Sequence, residues 1–374
     1  MEVEEKKENE SRNADETTVK EVPILAIKGF FMGSADIVPG VSGGTMALIL
    51  DIYERLLNAI KSVDIRFLKS IVRFNFKTAF DELHWLFLVP LFAGIFSAGV
   101  FFTTIVPLQI YMFTHAEIVY GLFFGLIVGS IYVLIKEQSQ FRWKEGVALL
   151  GGLGFGLWVV TLVPTDTPDH PAFVFLTGVI SISAMILPGI SGSYLLLIMR
   201  KYEYILTNIS LIWTGDPING IINIAPFTLG TLVGIAAFSR FLSWLLKRYH
   251  SQTIAVLIGF MVGSLFVIWP FQHRDYVEQV RETEIVSLTD ERVLELQENP
   301  NENLPEFNRL GETTSEGIEL LTVKKKLIHS EPYIPGYIGE REGDIPNTRG
   351  GIIGMILGLA LVGGLDRLRE KKEV

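Results

Sequence analysis

Ala35–Thr45 reads "ADIVPGVSGGT", and Ala184–Tyr194, 149 positions later, reads "AMILPGISGSY". Both stretches lie inside apolar segments, at about residues 24–60 and 172–212. Proline removes a backbone donor and clashes with the preceding turn, and glycine loosens the chain, so each stretch should break a helix. In hydrocarbon the freed N–H and C=O groups are costly, and irregular backbone survives there only under a cover of protein or beside a water-filled cavity. The same break made twice therefore bears on fold and function together.

The surroundings read as membrane spans. Continuous apolar runs occur at about 83–106, 117–135, 146–164, 222–246, 253–270 and 350–366, near the ~20 residues that a bilayer requires. The 374-residue chain is 49% hydrophobic, yet its mean hydropathy is only +0.38, because two polar blocks dilute it. Residues 1–22 are charged, lack apolar periodicity and read as a disordered tail; the run is acidic and unlike a signal peptide. Residues 271–348 hold 17 acidic and 8 basic residues, enough to account for the net charge of −9. The acidic balance thus says nothing about partners of the apolar part. Within this block "DERVLELQE" looks helical and "YIPGYIG" looks like a turn; a solvated extracytoplasmic insertion is the expectation. There is no cysteine, which excludes disulfides, thiolate metal sites and cysteine nucleophiles. Six histidines (84, 115, 170, 250, 273, 329) show no zinc-binding spacing. Nothing in the pattern points to a cofactor, a metal or a nucleic acid.

The two breaks belong to a longer repeat. Tyr53-Glu54 and Tyr202-Glu203 share the offset of 149. Further on, Pro90 and Gly94 match Pro226 and Gly230, and "GLIVGSIYVL" (Gly125–Leu134) matches "GFMVGSLFVI" (Gly259–Ile268). A glycine-rich span closes each half, at 146–164 and 350–366. Several matches in the same order indicate internal duplication. The expected fold is an all-α polytopic membrane protein, each half being one re-entrant broken-helix hairpin plus three transmembrane helices. The organisation is a cytoplasmic tail 1–22, a first repeat 23–164, a second repeat 171–270, the insertion 271–348, and a last span with a basic tail 349–374.

Lysine and arginine set the orientation. Lys61, Arg66, Lys69, Arg73 and Lys77 follow the first broken segment, and Lys136, Arg142, Lys144, Lys247 and Arg248 lie in two later loops. Arg367, Arg369, Lys371 and Lys372 end the chain, whereas loops 107–116, 165–171 and 213–221 have no lysine or arginine. This pattern predicts both termini in the cytoplasm. It also predicts hairpins that return to the side they enter from, so that three spans per half make the second half inverted.

Two inverted hairpins meeting near the midplane would cover each other's breaks and form a site. Ser42 and Ser191 are natural N-caps. The N–H groups of Gly43, Gly44 and Thr45, and of Gly192, Ser193 and Tyr194, would then face a cavity, where helix N-termini favour anions, phosphate above all. The candidate binding set is Pro39, Gly40, Ser42, Gly43, Gly44, Thr45, Pro188, Gly189, Ser191, Gly192, Ser193 and Arg240. Arg240 is included because arginine grips phosphate bidentately; the alternative is snorkelling to the surface. Inverted repeats with broken helices are the usual build of secondary transporters. Asp36, three residues before Pro39, is the sharpest intramembrane carboxylate; its repeat mate is Met185, so the site is asymmetric. Glu54 and Glu203 are further coupling candidates, or interfacial residues. Arg200 and Lys201, whose counterparts are Asp51 and Ile52, are secondary candidates.

"GFFMGSADIVPGVSGGTMALILDIYERLLNAI" (29–60) and "ISAMILPGISGSYLLLIMRKYE" (182–203) resemble the bacterial polyprenyl-phosphate (undecaprenyl phosphate) transporter family, and "WLLKRYHSQTIAVLIGFMVGSLFVIWPF" (244–271) is similar to its later segment. The resemblance covers about 24–270 and, more weakly, 350–366. It implies a flippase that returns undecaprenyl phosphate from the outer to the cytoplasmic leaflet of the bacterial inner membrane, for peptidoglycan and other envelope polymers. The insertion departs from the family's pattern. The chemistry is consistent: a phosphate head needs cover to cross lipid while its tail stays in lipid. Moving an anion against an inside-negative potential costs about 2.3 kcal/mol per charge per 100 mV, so coupling to protons or sodium is expected. The alternative is an anion or small-solute channel built from the same hairpins, against which Asp36 argues. A membrane phosphatase is disfavoured, because the histidines fall in loops or near span ends.

Overall fold

The computed structural model describes residues 17–38, 41–62, 84–138, 141–162, 165–298, 302, 304–313, 317–336 and 346–373. The helices of the first broken segment are α1 (Val22–Asp36), α2 (Gly43–Ile49) and α3 (Tyr53–Lys61). Then come α4 (Trp85–Val100), continued by a π-helical turn (Phe101–Ile105), α5 (Leu108–Thr114), α6 (Ala116–Glu137) and α7 (Trp143–Val160). The second broken segment is α8 (Pro171–Ile186), α9 (Gly192–Ile198) and α10 (Tyr202–Thr214), followed by α11 (Pro217–Arg248) and α12 (His250–Ile268). After these lie β1 (Gln272–Val286), α13 (Glu291–Glu298), β2 (Glu306–Thr313), β3 (Ile318–Pro332) and α14 (Thr348–Glu373). Contacts divide the chain into two units, residues 1–101 with 127–268 and residues 102–126 with 269–374.

In the first unit each broken segment is interrupted twice. α1 ends shortly before Pro39 and α8 shortly before Pro188, since the residue preceding a proline is driven out of the helical region; Leu187 is extended, at ψ 130°. The second interruption is sharper: Asp51 and Arg200, again 149 residues apart, hold φ of 55° and 50°, a conformation uncommon for residues with a side chain. The helices that follow pack on the first arms through glycines. A Cβ at Gly29 would strike the Leu91 carbonyl and one at Gly94 the Ala26 carbonyl; a Cβ at Gly178 would strike Phe227 and one at Gly230 would strike Phe175. These are the same contacts at repeat-related positions. Helices α7 and α12 approach in the same manner, Gly152 against Val256 and Gly259 against Leu149. Small residues admit such backbone approach between helices in lipid.

The outward faces are as apolar as the inward ones. On α4, Phe87, Leu91 and Ala98 are buried, while Val89, Phe92, Phe96 and Val100 are exposed. A helix that is apolar all round suits hydrocarbon rather than water. Among the described residues, five helices are long and apolar enough to cross a membrane: Trp85–Ile105, Ala116–Glu137, Pro217–Arg248, His250–Ile268 and Thr348–Arg367. The expected span 146–164 forms an 18-residue helix, α7, and is not among the five. Its first turn carries Lys144 and Glu145, which lower its apolar content.

In the second unit the start of α6 packs on α14, Gly125 against Met355 and Gly358 against Leu122. The rest corrects the all-α expectation. The insertion carries an antiparallel three-stranded sheet in the order β1-β3-β2. Charge-rich strands pair because their charges are complementary across the ladder: Glu278 opposes Lys325, and Arg309 lies 2.9 Å from Glu278 and 3.0 Å from Glu302. A small core of Val286, Val293, Ile318 and Leu320 fastens the end of the sheet to α13. The helix expected at "DERVLELQE" is present, and Gly336 at φ 75° follows Pro335 in the expected turn.

Candidate functional site

The two broken segments meet within the first unit. The carbonyls of Met185, Ile186 and Leu187 have no helical donors, because the helix stops at Ile186 and the chain that follows leaves its path. Side chains of the first segment supply those partners. Tyr53 donates its hydroxyl to the Ile186 carbonyl at 3.0 Å. The Ser42 hydroxyl lies 3.4 Å from the Met185 carbonyl and 3.3 Å from that of Leu187. The Gly189 N–H donates to Thr45 Oγ1 at 2.9 Å. Ser42, Thr45 and Tyr53 are all buried. At Gly44 a Cβ would stand 2.7 Å from the Ile186 carbonyl, so glycine is required for this approach. Gly189 holds φ of 81° and lies against the Phe260 carbonyl, where a Cβ would come within 2.6 Å.

Both serines cap as the sequence predicts. Ser42 Oγ accepts from the Gly44 N–H at 3.1 Å, and Ser191 Oγ accepts from the Tyr194 N–H at 3.4 Å. The two helix starts differ otherwise. In the first, Asp36 Oδ1 accepts from the Gly43 N–H at 2.6 Å, and Thr45 N–H bonds back to Ser42 O. All three N–H groups expected to face a cavity are therefore occupied, one of them by a carboxylate. In the second, Met185 stands where Asp36 would be, and the N–H groups of Gly192 and Ser193 have no acceptor among the described residues. The Ser191 and Ser193 hydroxyls lie 2.9 Å apart, with Ser193 exposed. Donors for an anion are thus available at the second start, while the first carries its own negative charge.

The other candidates lie apart from this contact. Arg240 is exposed, with Nη1 donating to the Ala236 carbonyl of its own helix at 2.7 Å. Arg200 pairs with Asp166 at 2.7 Å; the buried Lys201 pairs with Asp169 at 2.5 Å and donates to the Thr167 carbonyl at 2.8 Å. Both cations are tied to the loop before α8. Glu54 faces His250 at 3.3 Å, and Glu203 is exposed. Pro188 is buried beside Gly189; Pro39 and Gly40 lie outside the described residues. Sequence reasoning missed two residues that matter. Tyr53 was visible only as a repeated Tyr-Glu pair, and its mate Tyr202 is 37% exposed, so repetition alone did not reveal the buried hydroxyl bond. Lys28, in the middle of an apolar helix, donates to the Leu50 carbonyl at 2.6 Å beside the second interruption; a lone intramembrane charge was the available signal.

A family model described as undecaprenyl phosphate translocase-like matches residues 32–286, which contain both broken segments. The chain belongs to that family. The polyprenyl-phosphate transporter of Vibrio cholerae serotype O1 is 36% identical over 247 residues, 66% of this chain and 77% of that protein. The polyprenyl-phosphate transporter of Staphylococcus aureus is 32% identical over 265 residues, 66% of this chain and 86% of that protein. No solved structure matches the chain. Membership accounts for the five apolar helices: this translocase-like chain is a membrane protein, and its relatives are named as transporters rather than enzymes.

Proposed function

We propose that the chain transports polyprenyl phosphate, returning undecaprenyl phosphate from the outer to the cytoplasmic leaflet of the bacterial inner membrane. The observation that carries this reading is the contact between the two P-G-x-S-G segments in a chain of this family. The family and the names of its relatives support the substrate class. The N–H groups of Gly192 and Ser193 and the hydroxyls of Ser191 and Ser193 receive the phosphate, and the tail stays in hydrocarbon. Asp36 carries the coupling function: a proton or sodium ion taken up there offsets the negative charge beside the arriving head. Arg240 remains a proposed ligand only for a phosphate that has moved towards the end of α11. Glu54 and Glu203 hold the second arms at the interface. The two halves are inverted repeats with both termini cytoplasmic, a topology supported by the charge pattern of the loops and by glycine contacts that recur at repeat-related positions.

The test is translocation of a fluorescent polyprenyl phosphate in proteoliposomes. Fast flipping by the native chain, lost in the Ser42→Ala/Ser191→Ala double variant, supports the transporter. No flipping in vesicles that pass inorganic anions favours the channel.

A further inference from the structure

A cleft of about 470 Å³ opens in the first unit between α7, α11 and α12, and Leu187 of the second break also lines it. Its floor is the buried Leu242, Leu257 and Phe260, and exposed Phe155, Phe241 and Tyr249 stand around it. Two of the polar side chains in its wall are hydrogen-bonded within the protein. Gln252 Nε2 donates to Glu145 Oε1 at 2.7 Å, and Thr253 Oγ1 donates to the Tyr249 carbonyl at 2.8 Å. The surface that the cleft exposes is apolar, and such a cavity favours hydrocarbon. The volume falls within the range of small-molecule sites.

The position narrows the occupant. Leu187 directly precedes Pro188-Gly189, and its carbonyl is within reach of the Ser42 hydroxyl at 3.3 Å. Phe260 forms part of the floor, and its carbonyl lies against Gly189. Two residues that line the cleft, Leu187 and Phe260, therefore adjoin the break that leads into Ser191 and Gly192. A ligand with an anionic head and a long hydrocarbon chain suits both places at once. A small anion leaves the cleft empty, and a neutral lipid makes no use of the donors at α9.

We propose that this cleft seats the head-proximal isoprene units of the polyprenyl phosphate, and so selects a prenyl chain over the acyl chains of ordinary phospholipids. The inference rests on the transporter reading for its ligand. It differs from that reading in assigning recognition to the tail, through residues absent from the P-G-x-S-G motifs.

The experiment is photolabelling of the full-length protein in nanodiscs with a polyprenyl phosphate carrying a diazirine on its first isoprene units, with labelled residues mapped by mass spectrometry. Labelling at Phe241, Leu245, Val256 or Phe260, competed by unlabelled polyprenyl phosphate and not by phosphatidic acid, is the expected result. Competition by phosphatidic acid to the same extent, or labelling confined to other sites, overturns the proposal. A Val256→Trp variant, which fills the cleft, should bind the long-chain probe about tenfold or more weakly, in keeping with the lost apolar burial. It should leave binding of inorganic phosphate, which carries no isoprene unit, unchanged. Equal loss of both ligands in a folded variant counts against a tail site. Cleft labelling without transport by the native protein would keep the site and sink the transporter reading; transport without cleft labelling would do the reverse.

Discussion

The Tyr53 hydroxyl donates to the Ile186 carbonyl at 3.0 Å, joining two broken helices 133 residues apart in the chain. The bond is buried, and it satisfies a carbonyl left without a helical partner where α8 ends. Tyr53→Phe keeps the ring and orphans that carbonyl. The expected cost is about 1–3 kcal/mol, seen as a lower midpoint of thermal unfolding in detergent. Tyr202→Phe, at the exposed repeat mate, should change the midpoint little; equal effects would show that the bond is not the reason.

Asp36 holds the Gly43 N–H through a carboxylate oxygen. Asp36→Asn keeps an acceptor and removes the charge. Flipping driven by an imposed ion gradient should fall at least about tenfold, while protein stability changes by less than about 1 kcal/mol. Gradient-driven flipping at the native rate would remove Asp36 from the coupling scheme.

Helix starts with similar caps should respond differently. Ser191→Ala costs one cap, about 1 kcal/mol. Ser42→Ala also removes a donor from the Met185 and Leu187 carbonyls, so it should destabilise more. Chemical denaturation of the two single variants orders them; the reverse order would place the weight of the contact elsewhere.

Glycines of α7 offer an internal control. A Cβ at Gly152 would strike the Val256 backbone, whereas one at Gly151 or Gly154 would meet nothing within 4 Å. Gly152→Ala should destabilise by about 1–3 kcal/mol through overpacking. Gly154→Ala should be neutral or stabilise by up to about 1 kcal/mol through reduced backbone freedom. Unfolding midpoints of purified variants decide it.

In the insertion, hydrogen bonds from Arg292 hold the Asp290 carboxyl below its ordinary value. A carboxylate whose folded pKa is depressed stabilises the fold above its unfolded pKa and loses that contribution as pH falls through the folded one. Amide protection of Glu291–Glu298, corrected for intrinsic exchange, should hold from pH 8 to about pH 5 and decline below about pH 4. A decline centred near neutral pH would point to another group.

Much of the architecture was legible before any coordinate. Proline and glycine act locally, through a missing donor and a missing Cβ, so the break at 188–189 and the caps at Ser42 and Ser191 follow from neighbouring residues alone. Span length and the duplicated order of motifs are likewise properties of the chain read in line. The β-sheet was not legible, because its strands are stabilised by cross-strand partners such as Glu278 and Lys325, 47 positions apart; in line, each strand is only a charged run. The inequality of the two helix starts was half visible, in Asp36 against Met185. That Asp36 occupies the Gly43 N–H, that Tyr53, Ser42 and Thr45 serve the second break, and that Arg200 and Lys201 turn to Asp166 and Asp169, were decided by tertiary structure. Hydrogen bonds and ion pairs act over about 3–4 Å, and only folding determines which groups come that close.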